Sequence, residues 1–415
     1  MILSSVRRTV CAVVALAGLA LAGAGPGGAQ SPAPVAISVT GGPTPVNTLR
    51  LAIEAAARAT LPEAREAEVD VLGVLPPLSP LNSGVTASAQ ATVGISSPSG
   101  PTQRRILPVV FTNQVQQWTD AQVLLVSNSP EKLPFGKVLY NGALTSGQTA
   151  RLLYHHMNGS STQRMTIEVT LSNPTALPLT LWVTGAAAGP AANELTIGHA
   201  AALRFLEQEA LHAGFMMTVP PNTTMPLFVQ DLPPLAIVSG LAQVAVVGGD
   251  RLNLQVVARL AGESEPPTAS YQPNFDAIHQ RGAFGQPSIV RQLKYSADGP
   301  LVTMTLGADG DLLHNNANVA LQGNYGVVYT FNVDVSNPTD SPAVASLVMH
   351  ADGGQAQGTF VVDGQLVEGP VVQPNAPQLV TAVHLAPGST RTLQIITMPE
   401  SGSNYPVRLL LGPPP

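Results

Sequence analysis

The sequence predicts a mainly β protein in which two tandem immunoglobulin-like antiparallel β-sandwiches follow a small α+β module. Two observations predict this fold class. A segment that alternates apolar and polar residues and ends in Ser-Asn-Pro-Thr, at 172–175, recurs at 336–339. A second pair of similar turns, at 219–224 and 385–390, follows in the same order, and each turn leads into another alternating segment. Alternation with a period of two is typical of strands that bury one face.

The repeated segment indicates an internal duplication. Apolar residues alternate before the turn in both copies: Ile167, Val169 and Leu171 in the first, and Phe331, Val333 and Val335 in the second. The Asn-Pro step then begins a turn, because proline fixes φ and has no N–H to donate to a ladder. Two matching segments in the same order favour duplication of one sandwich over the alternative, convergent turn chemistry in two unrelated all-β domains.

The domain organisation follows from this repeat and from shifts in composition. In the module, residues 48–61 are predicted to form a helix, because Arg50, Glu54 and Arg58 recur at helical spacing. Residues 68–75, 85–95 and 106–112 are predicted strands, and the linker between the sandwiches begins at Ala261. The predicted domains are a signal peptide and short linker (1–30), the α+β module (31–119), the first sandwich (120–260) and the second sandwich (280–415).

The amino terminus has the features of a secretory signal peptide. Arg7 and Arg8 precede an apolar run at 10–22, and small residues at 22–24 offer a cleavage site. The run is short for a membrane span, which disfavours the alternative of an uncleaved anchor. Cys11, the single cysteine, lies inside this signal, so the mature chain has no disulfide or thiol chemistry. We therefore expect a secreted or periplasmic protein of the bacterial envelope, with cell-surface association as a further option.

The two copies differ most between the matched turns, where the first copy has a predicted helix at residues 193–213. Its spacing places His199, Leu203 and Leu206 on an inward face. The opposite face is predicted to bind a partner and carries Arg204, Glu207 and Gln208. The alternative is that the helix only closes one end of the sandwich core.

Two arrangements in the sequence contain histidines at positions that could bind a metal ion. His155 and His156 are adjacent in a predicted strand, so their side chains point to opposite faces and do not easily bind one ion. Glu209 and His212 have the Glu-x-x-His spacing of di-iron bundles, but the second such pair that those sites need is missing. Neither arrangement predicts a metal site.

The sequence has one candidate calcium loop and none of the common enzyme signatures. Asp309 and Asp311 offer two carboxylates for calcium, but Asp-Gly-Asp is also a common turn sequence. The sequence has no Gly-x-Ser-x-Gly elbow, His-Glu-x-x-His motif or phosphate loop. No catalytic residue, metal ligand or cofactor is therefore predicted.

Composition restricts the function further. The net charge of −6 and the absence of a basic cluster disfavour nucleic acid as a partner, and no apolar span follows the signal. With 11% charged and 4% aromatic residues, the chain is poor in catalytic and sugar-stacking groups. We expect an exported, non-catalytic envelope or cell-surface protein that binds a protein or envelope component. The alternatives are a secreted hydrolase-type enzyme with a dispersed site and a periplasmic assembly chaperone.

Overall fold

The computed structural model describes residues 33–414, with gaps at 66, 97–99, 134–135, 262 and 264–278. The predicted signal peptide and most of the predicted linker lie outside these residues. Within them the chain forms 24 strands and only two α-helices, so the mainly β, sandwich-type fold is confirmed. None of the helices in the described ranges has the length and apolar character needed to span a bilayer.

The amino-terminal part contains one strand, one α-helix and then three further strands. The helix begins after Pro45 and ends at Thr60, two residues before Pro62, whose ring disfavours helical backbone at the residue before it. The elements are β1 (Val35–Thr40), α1 (Val46–Thr60), β2 (Glu68–Leu75), β3 (Thr86–Ser96) and β4 (Gln103–Asn113). These bounds agree closely with the predicted helix and strands.

The first sandwich contains ten strands and the second helix. Apolar residues of β8, β9 and β13 belong to one buried core. The elements are β5 (Val123–Ser127), β6 (Lys132–Leu133), β7 (Lys137–Thr145), β8 (Thr149–Asn158), β9 (Met165–Asn173), β10 (Leu179–Ala191), α2 (Glu194–Ala210), β11 (Gly214–Val219), β12 (Thr223–Leu232), β13 (Ile237–Gly248) and β14 (Arg251–Leu260).

The remaining ten strands follow the gap at 264–278. They are β15 (Arg281–Gly285), β16 (Ser288–Ser296), β17 (Val302–Leu306), β18 (Val328–Ser336), β19 (Ala343–Ala351), β20 (Thr359–Val362), β21 (Gln365–Glu368), β22 (Gln378–Leu385), β23 (Thr390–Thr397) and β24 (Val407–Gly412). The second sandwich packs the sheet β16-β18-β23-β20-β21 against the sheet β17-β24-β19-β22.

The amino-terminal module and the first sandwich share one 11-stranded sheet. Strand β1 pairs with β4 in parallel and with β11 antiparallel, so the main path of the sheet runs β15-β5-β8-β13-β10-β11-β1-β4-β3-β2. Strand β15, which lies in the range expected for the second sandwich, pairs with β5 of the first. It does so because Phe284 buries its ring completely in the core. The sheets are also mixed rather than purely antiparallel, since β5 pairs with β8 and β16 with β18 in parallel.

The two sandwiches have equivalent strand orders. The order β8-β13-β10-β11 in the first corresponds to β17-β24-β19-β22 in the second, and the pair β9-β12 corresponds to β18-β23. The copies also differ, and two of the differences lie next to the matched strands. Helix α2 stands where the second copy has the hairpin β20-β21, and the position of β14 beside β9 is filled in the second copy by β16 beside β18.

Asn173 and Asn337 make the same hydrogen bonds at equivalent turns. The Asn173 amide donates to the carbonyls of Leu177 (2.8 Å) and Val219 (3.0 Å), and its Oδ1 accepts from the Thr175 backbone N–H at 3.0 Å. The Asn337 amide likewise donates to Ser341 and Leu385, and its Oδ1 accepts from Thr339. Both asparagines are buried. The agreement of these networks supports the predicted duplication.

We expect Asn173→Ala and Asn337→Ala each to lower the free energy of unfolding by about 1–3 kcal/mol, because each leaves buried carbonyls without a donor. Urea unfolding monitored by fluorescence measures the change. Asn332→Ala is the control: this residue is half-buried on β18, and within the described residues its side chain accepts a single hydrogen bond, from Gln394, so a change within about 0.5 kcal/mol is expected. Losses as small as the control's in both turn variants would contradict the prediction.

Candidate functional site

Helix α2 forms where the sequence predicts it. The Asn193 side chain accepts a hydrogen bond from the Thr196 backbone N–H at 3.1 Å, which caps the first turn. The helix ends at Ala210, and Gly214 begins β11. It packs against β10 and β13 of the first sandwich and against β20 of the second. Helix α2 therefore lies at the junction of the two sandwiches.

The expected inward face of α2 is largely correct, since Leu206 and His199 are buried and Leu203 is half-buried. The expected outward face is wrong at Gln208, which is completely buried. Its side-chain amide donates to the Gly185 carbonyl at 2.9 Å and accepts from the Gly185 N–H at 3.4 Å. These two hydrogen bonds connect α2 to the backbone of β10.

Arg204 and Glu207 face the first helix. Arg204 is exposed and donates to the Ala187 carbonyl at 2.8 Å, while the Glu207 carboxylate accepts from the Asn47 amide at 3.2 Å. The Asn47–Glu207 hydrogen bond connects α1 directly to α2. The partner-binding role of this face stays a prediction, but its polar residues now border a defined cavity.

This helix–helix cavity lies between α1 and α2, over strands β2, β10 and β12, and has a volume of about 440 Å³. Its walls carry charged and amide side chains, and its floor is small or apolar. The lining residues are Asn47, Arg50, Leu51, Glu54, Asp70, Val71, Gly185, Ala186, Ala187, Arg204, Gln208 and Phe228. Clefts of this size with a few convergent polar groups are common ligand sites.

The cavity combines carboxylates with arginines that have no acidic partner. Arg50 donates to the Val71 carbonyl at 2.9 Å. Neither Arg50 nor Arg204 forms an ion pair with a residue of the described chain. Each guanidinium carries five N–H donors, so both keep donors for an incoming group. Asp70 is exposed at the same opening. The cavity can therefore receive a ligand that carries both an anionic group and hydrogen-bond donors.

Glu54 is the perturbed acid of the cavity. Burial, offset partly by the nearby Arg58 charge and reinforced by Asp70, raises the pKa of Glu54 to about 7. Its carboxyl is enclosed by protein on most sides yet lines the open cavity. At neutral pH this group is about half protonated, so it can both donate and accept hydrogen bonds.

The adjacent histidines separate as the strand geometry predicts. His156 points into the core of the first sandwich, where its ring bonds to Ser127 Oγ (3.0 Å) and the Pro130 carbonyl (2.9 Å). Burial lowers the pKa of His156 to about 3, so it is a neutral core residue. His155 lies on the other face and lines a second cavity at the junction of the sandwiches. Burial lowers its pKa to about 4, which keeps the ring neutral.

The other motifs form no shared site. Glu209 approaches Arg151 at 3.5 Å, whereas His212 stacks on Trp118 with ring centroids 5.2 Å apart. Asp309–Asp311 forms a single 3-10 turn. The sequence alone identified the charged residues of each helix. Nothing in it showed that these two helices, more than 130 residues apart, would form one cavity.

Comparisons with known proteins give no family. No family model matches the chain, and no curated protein matches it. Among solved structures, three with remote similarity have TM-scores too low to support an argument about fold or function. They include the M60 catalytic domain with its CBM51-1 and CBM51-2 domains from Clostridium perfringens ZmpB (9% identity, 83% of this chain, 43% of that chain, TM-score 0.17). This chain thus spans less than half of that one.

Two further solved structures are similarly remote, and their TM-scores are also too low to support an argument. The PBSX exported protein XepA is 10% identical over 66% of this chain and 85% of that chain, with a TM-score of 0.15. The multicopper oxidase Fet3p, described as functioning in iron import, is 9% identical over 74% of this chain and 66% of that chain, with a TM-score of 0.11.

Proposed function

We propose that the protein is an exported, non-catalytic envelope or cell-surface protein, secreted or periplasmic, that binds a partner at the helix–helix cavity. The observation that carries this proposal is that Arg50 and Arg204, which form no ion pair within the described residues, line the same cavity as the carboxylates of Glu54 and Asp70. Export is supported by the sequence of residues 1–30 alone.

The chemistry of the cavity favours one kind of occupant. An exposed chain segment of a protein partner offers a carboxylate for Arg204 or Arg50 and N–H or ammonium donors for Asp70 and Glu54. Leu51, Val71 and Phe228 are nearly buried and supply an apolar floor for an aliphatic side chain. Paired charges of both signs give such a site specificity, because an occupant with the wrong sign at either point is repelled.

The experiment compares capture from envelope extract by two variants. We expect Arg204→Ala combined with Glu207→Ala to keep the wild-type melting temperature, because Arg204 is exposed and Glu207 is half-buried. Recovery of the partner should fall at least about tenfold, the effect of losing about 1.4 kcal/mol. Arg104→Ala, which removes an exposed arginine of β4 far along the sheet, is the matched control. Equal recovery by the double variant and the control would refute binding at this cavity.

A second candidate, a secreted hydrolase, is favoured by the pKa of Glu54. A carboxyl that titrates near neutrality beside a second carboxylate is an arrangement that general acid–base catalysis uses. Turnover of chromogenic glycosides or esters by the wild type, lost in Glu54→Gln with the fold intact, would replace the binding proposal with this one.

A further inference from the structure

The second cavity, at the junction of the sandwiches, gathers four acidic and imidazole side chains from four segments. Glu131 follows β5, His155 is on β8, Glu194 is the first residue of α2, and His279 precedes β15. The possible ligand atoms of Glu131, His155 and Glu194 all lie within 4.8 Å of one another. His279 Nε2 lies 2.5 Å from Glu131 Oε2.

Two buried polar atoms in this cavity have no hydrogen-bond partner in the described chain. One is Nδ1 of His155, a residue that is only 3% exposed, and the other is Oδ1 of Asn128. A buried acceptor without a donor costs about 1–3 kcal/mol, and such groups in native structures often mark the place of a water or an ion. Both atoms have lone pairs that suit a cation.

The charge of the cavity also favours a cation. Glu131 and Glu194 bring two carboxylates to the same cavity, with their possible ligand atoms within 4.8 Å of each other. Two carboxylates held together in a partly buried place repel each other, and a divalent ion removes that repulsion.

We propose that Glu131, His155, Glu194 and His279 bind one divalent first-row transition-metal ion, of which zinc is the representative. A tetrahedral zinc site places its ligand atoms about 3.4 Å apart, given bonds of about 2.0–2.2 Å. The observed separations, at most 4.8 Å among three of the residues, need only side-chain rotation to reach that value. On metal binding, the contact between His279 and Glu131 is replaced by a bond from each residue to the ion. The side-chain oxygen of Asn128, in the same cavity, offers a further ligand.

The donor set selects this metal class. Calcium and magnesium take oxygen ligands, whereas two imidazoles with two carboxylates suit zinc and its neighbours. The remaining wall of the cavity comes from the second sandwich, through Tyr325 and residues 401–404. A bound ion would therefore stabilise the chain segments that meet at the junction, a role independent of the helix–helix cavity.

The test titrates zinc into the full-length mature protein, without an affinity tag and after treatment with EDTA, by isothermal titration calorimetry. We expect one ion per chain and a higher melting temperature with zinc, and neither with calcium or magnesium. Cobalt(II) added instead should give the intense visible absorption of a tetrahedral site.

His155→Ala should weaken zinc binding by more than the roughly 10–100-fold typical of losing an outer-shell partner, because it removes a direct ligand. His384→Ala, at an exposed position of β22, is the matched control and should bind like the wild type. Because His155 is buried, Glu194→Gln provides a second variant at an exposed position, with a similar loss expected. Absence of zinc binding, a preference for calcium, or unchanged affinity in both ligand variants would overturn the proposal.

Discussion

Arg151→Met is expected to lower the free energy of unfolding by about 3–5 kcal/mol, the cost of breaking a buried ion pair by removing one partner. Arg151 is completely buried on β8, where its Nη1 donates to the carbonyls of Pro287 (3.0 Å) and Gly326 (3.2 Å) of the second sandwich. Its Nη2 approaches Glu209 at 3.5 Å and Gln243 at 3.3 Å. One side chain thus connects a strand of the first sandwich, α2 and the second sandwich.

The cost arises from what the arginine leaves behind. Methionine fills much of the volume and keeps contact with the Phe205 ring, over which the guanidinium lies at 5.6 Å. It cannot neutralise Glu209, whose pKa burial raises and Arg151 lowers, nor donate to the two carbonyls. The double variant Arg151→Met with Glu209→Gln should recover part of the loss, because the uncompensated charge is then absent.

Urea unfolding measures these changes, and Arg164→Met is the matched control. Arg164 forms an ion pair of 2.9 Å with Asp231 but has a half-exposed side chain, so its loss should cost no more than about 1 kcal/mol. If Arg151→Met cost as little as Arg164→Met, the buried arginine would not hold the junction together.

Local patterns predicted much of this fold. The alternation before Asn173 and Asn337 predicted the paired strands and turns of both copies, and the helical spacing at residues 193–213 predicted α2. These features depend on residues close in sequence, where a period or a capping side chain is sufficient. The same locality explains the agreement for α1 and for the strands of the amino-terminal module.

Long-range pairing was not predictable in the same way. Nothing local shows that β1 pairs with β11, or that β15 pairs with β5 rather than with the sandwich that follows it. The error at Gln208 has the same origin, since its buried amide bonds to the backbone of Gly185, on a strand 23 residues earlier. A period assigns a face to a helix, but the partner packed on that face decides burial.

The candidate sites are the least local features. The helix–helix cavity needs α1 and α2 together, and the proposed metal ligands span residues 131–279. The sequence places His155 next to His156 in a strand, and adjacent strand residues point to opposite faces, so the sequence does not predict that the two bind one metal ion. The structure separates them: His156 is bonded in the core, and His155 meets acids from two other segments. Convergence in space, which one sequence does not display, distinguishes the two.

His199→Leu is expected to lower the free energy of unfolding by about 3–5 kcal/mol at pH 6, because it leaves a buried carboxyl without its partner. His199 Nδ1 lies 2.8 Å from Glu400 Oε2, and its Nε2 lies 3.0 Å from Glu368 Oε1. The Glu400 side chain is completely buried, whereas that of Glu368 is more than half exposed. This contact joins α2 to the second sandwich on the side opposite to strands β10 and β13.

The unfolding free energy lost in His199→Leu should decrease as the pH rises. Burial alone would lower the pKa of His199, but hydrogen bonds and charges from Glu400 and Glu368 outweigh it and raise the pKa above 6.5. A histidine whose pKa is raised in the folded state contributes stability that is complete below its unfolded pKa, near 6.5. That contribution disappears as the pH rises through the folded pKa. The difference between wild type and His199→Leu should therefore be largest near pH 6 and shrink towards pH 9.

Urea unfolding at pH 6 and pH 9 measures this difference, and Glu368→Gln is the matched control. Because the Glu368 carboxylate is largely solvated, its removal should cost no more than about 1 kcal/mol at either pH. Neither substitution changes Gly198, which lies so close to the Ser401 backbone that a Cβ would overlap it. A loss in His199→Leu that is equal at pH 6 and pH 9 would show that packing, and not the charge on the imidazole, holds α2 to the second sandwich.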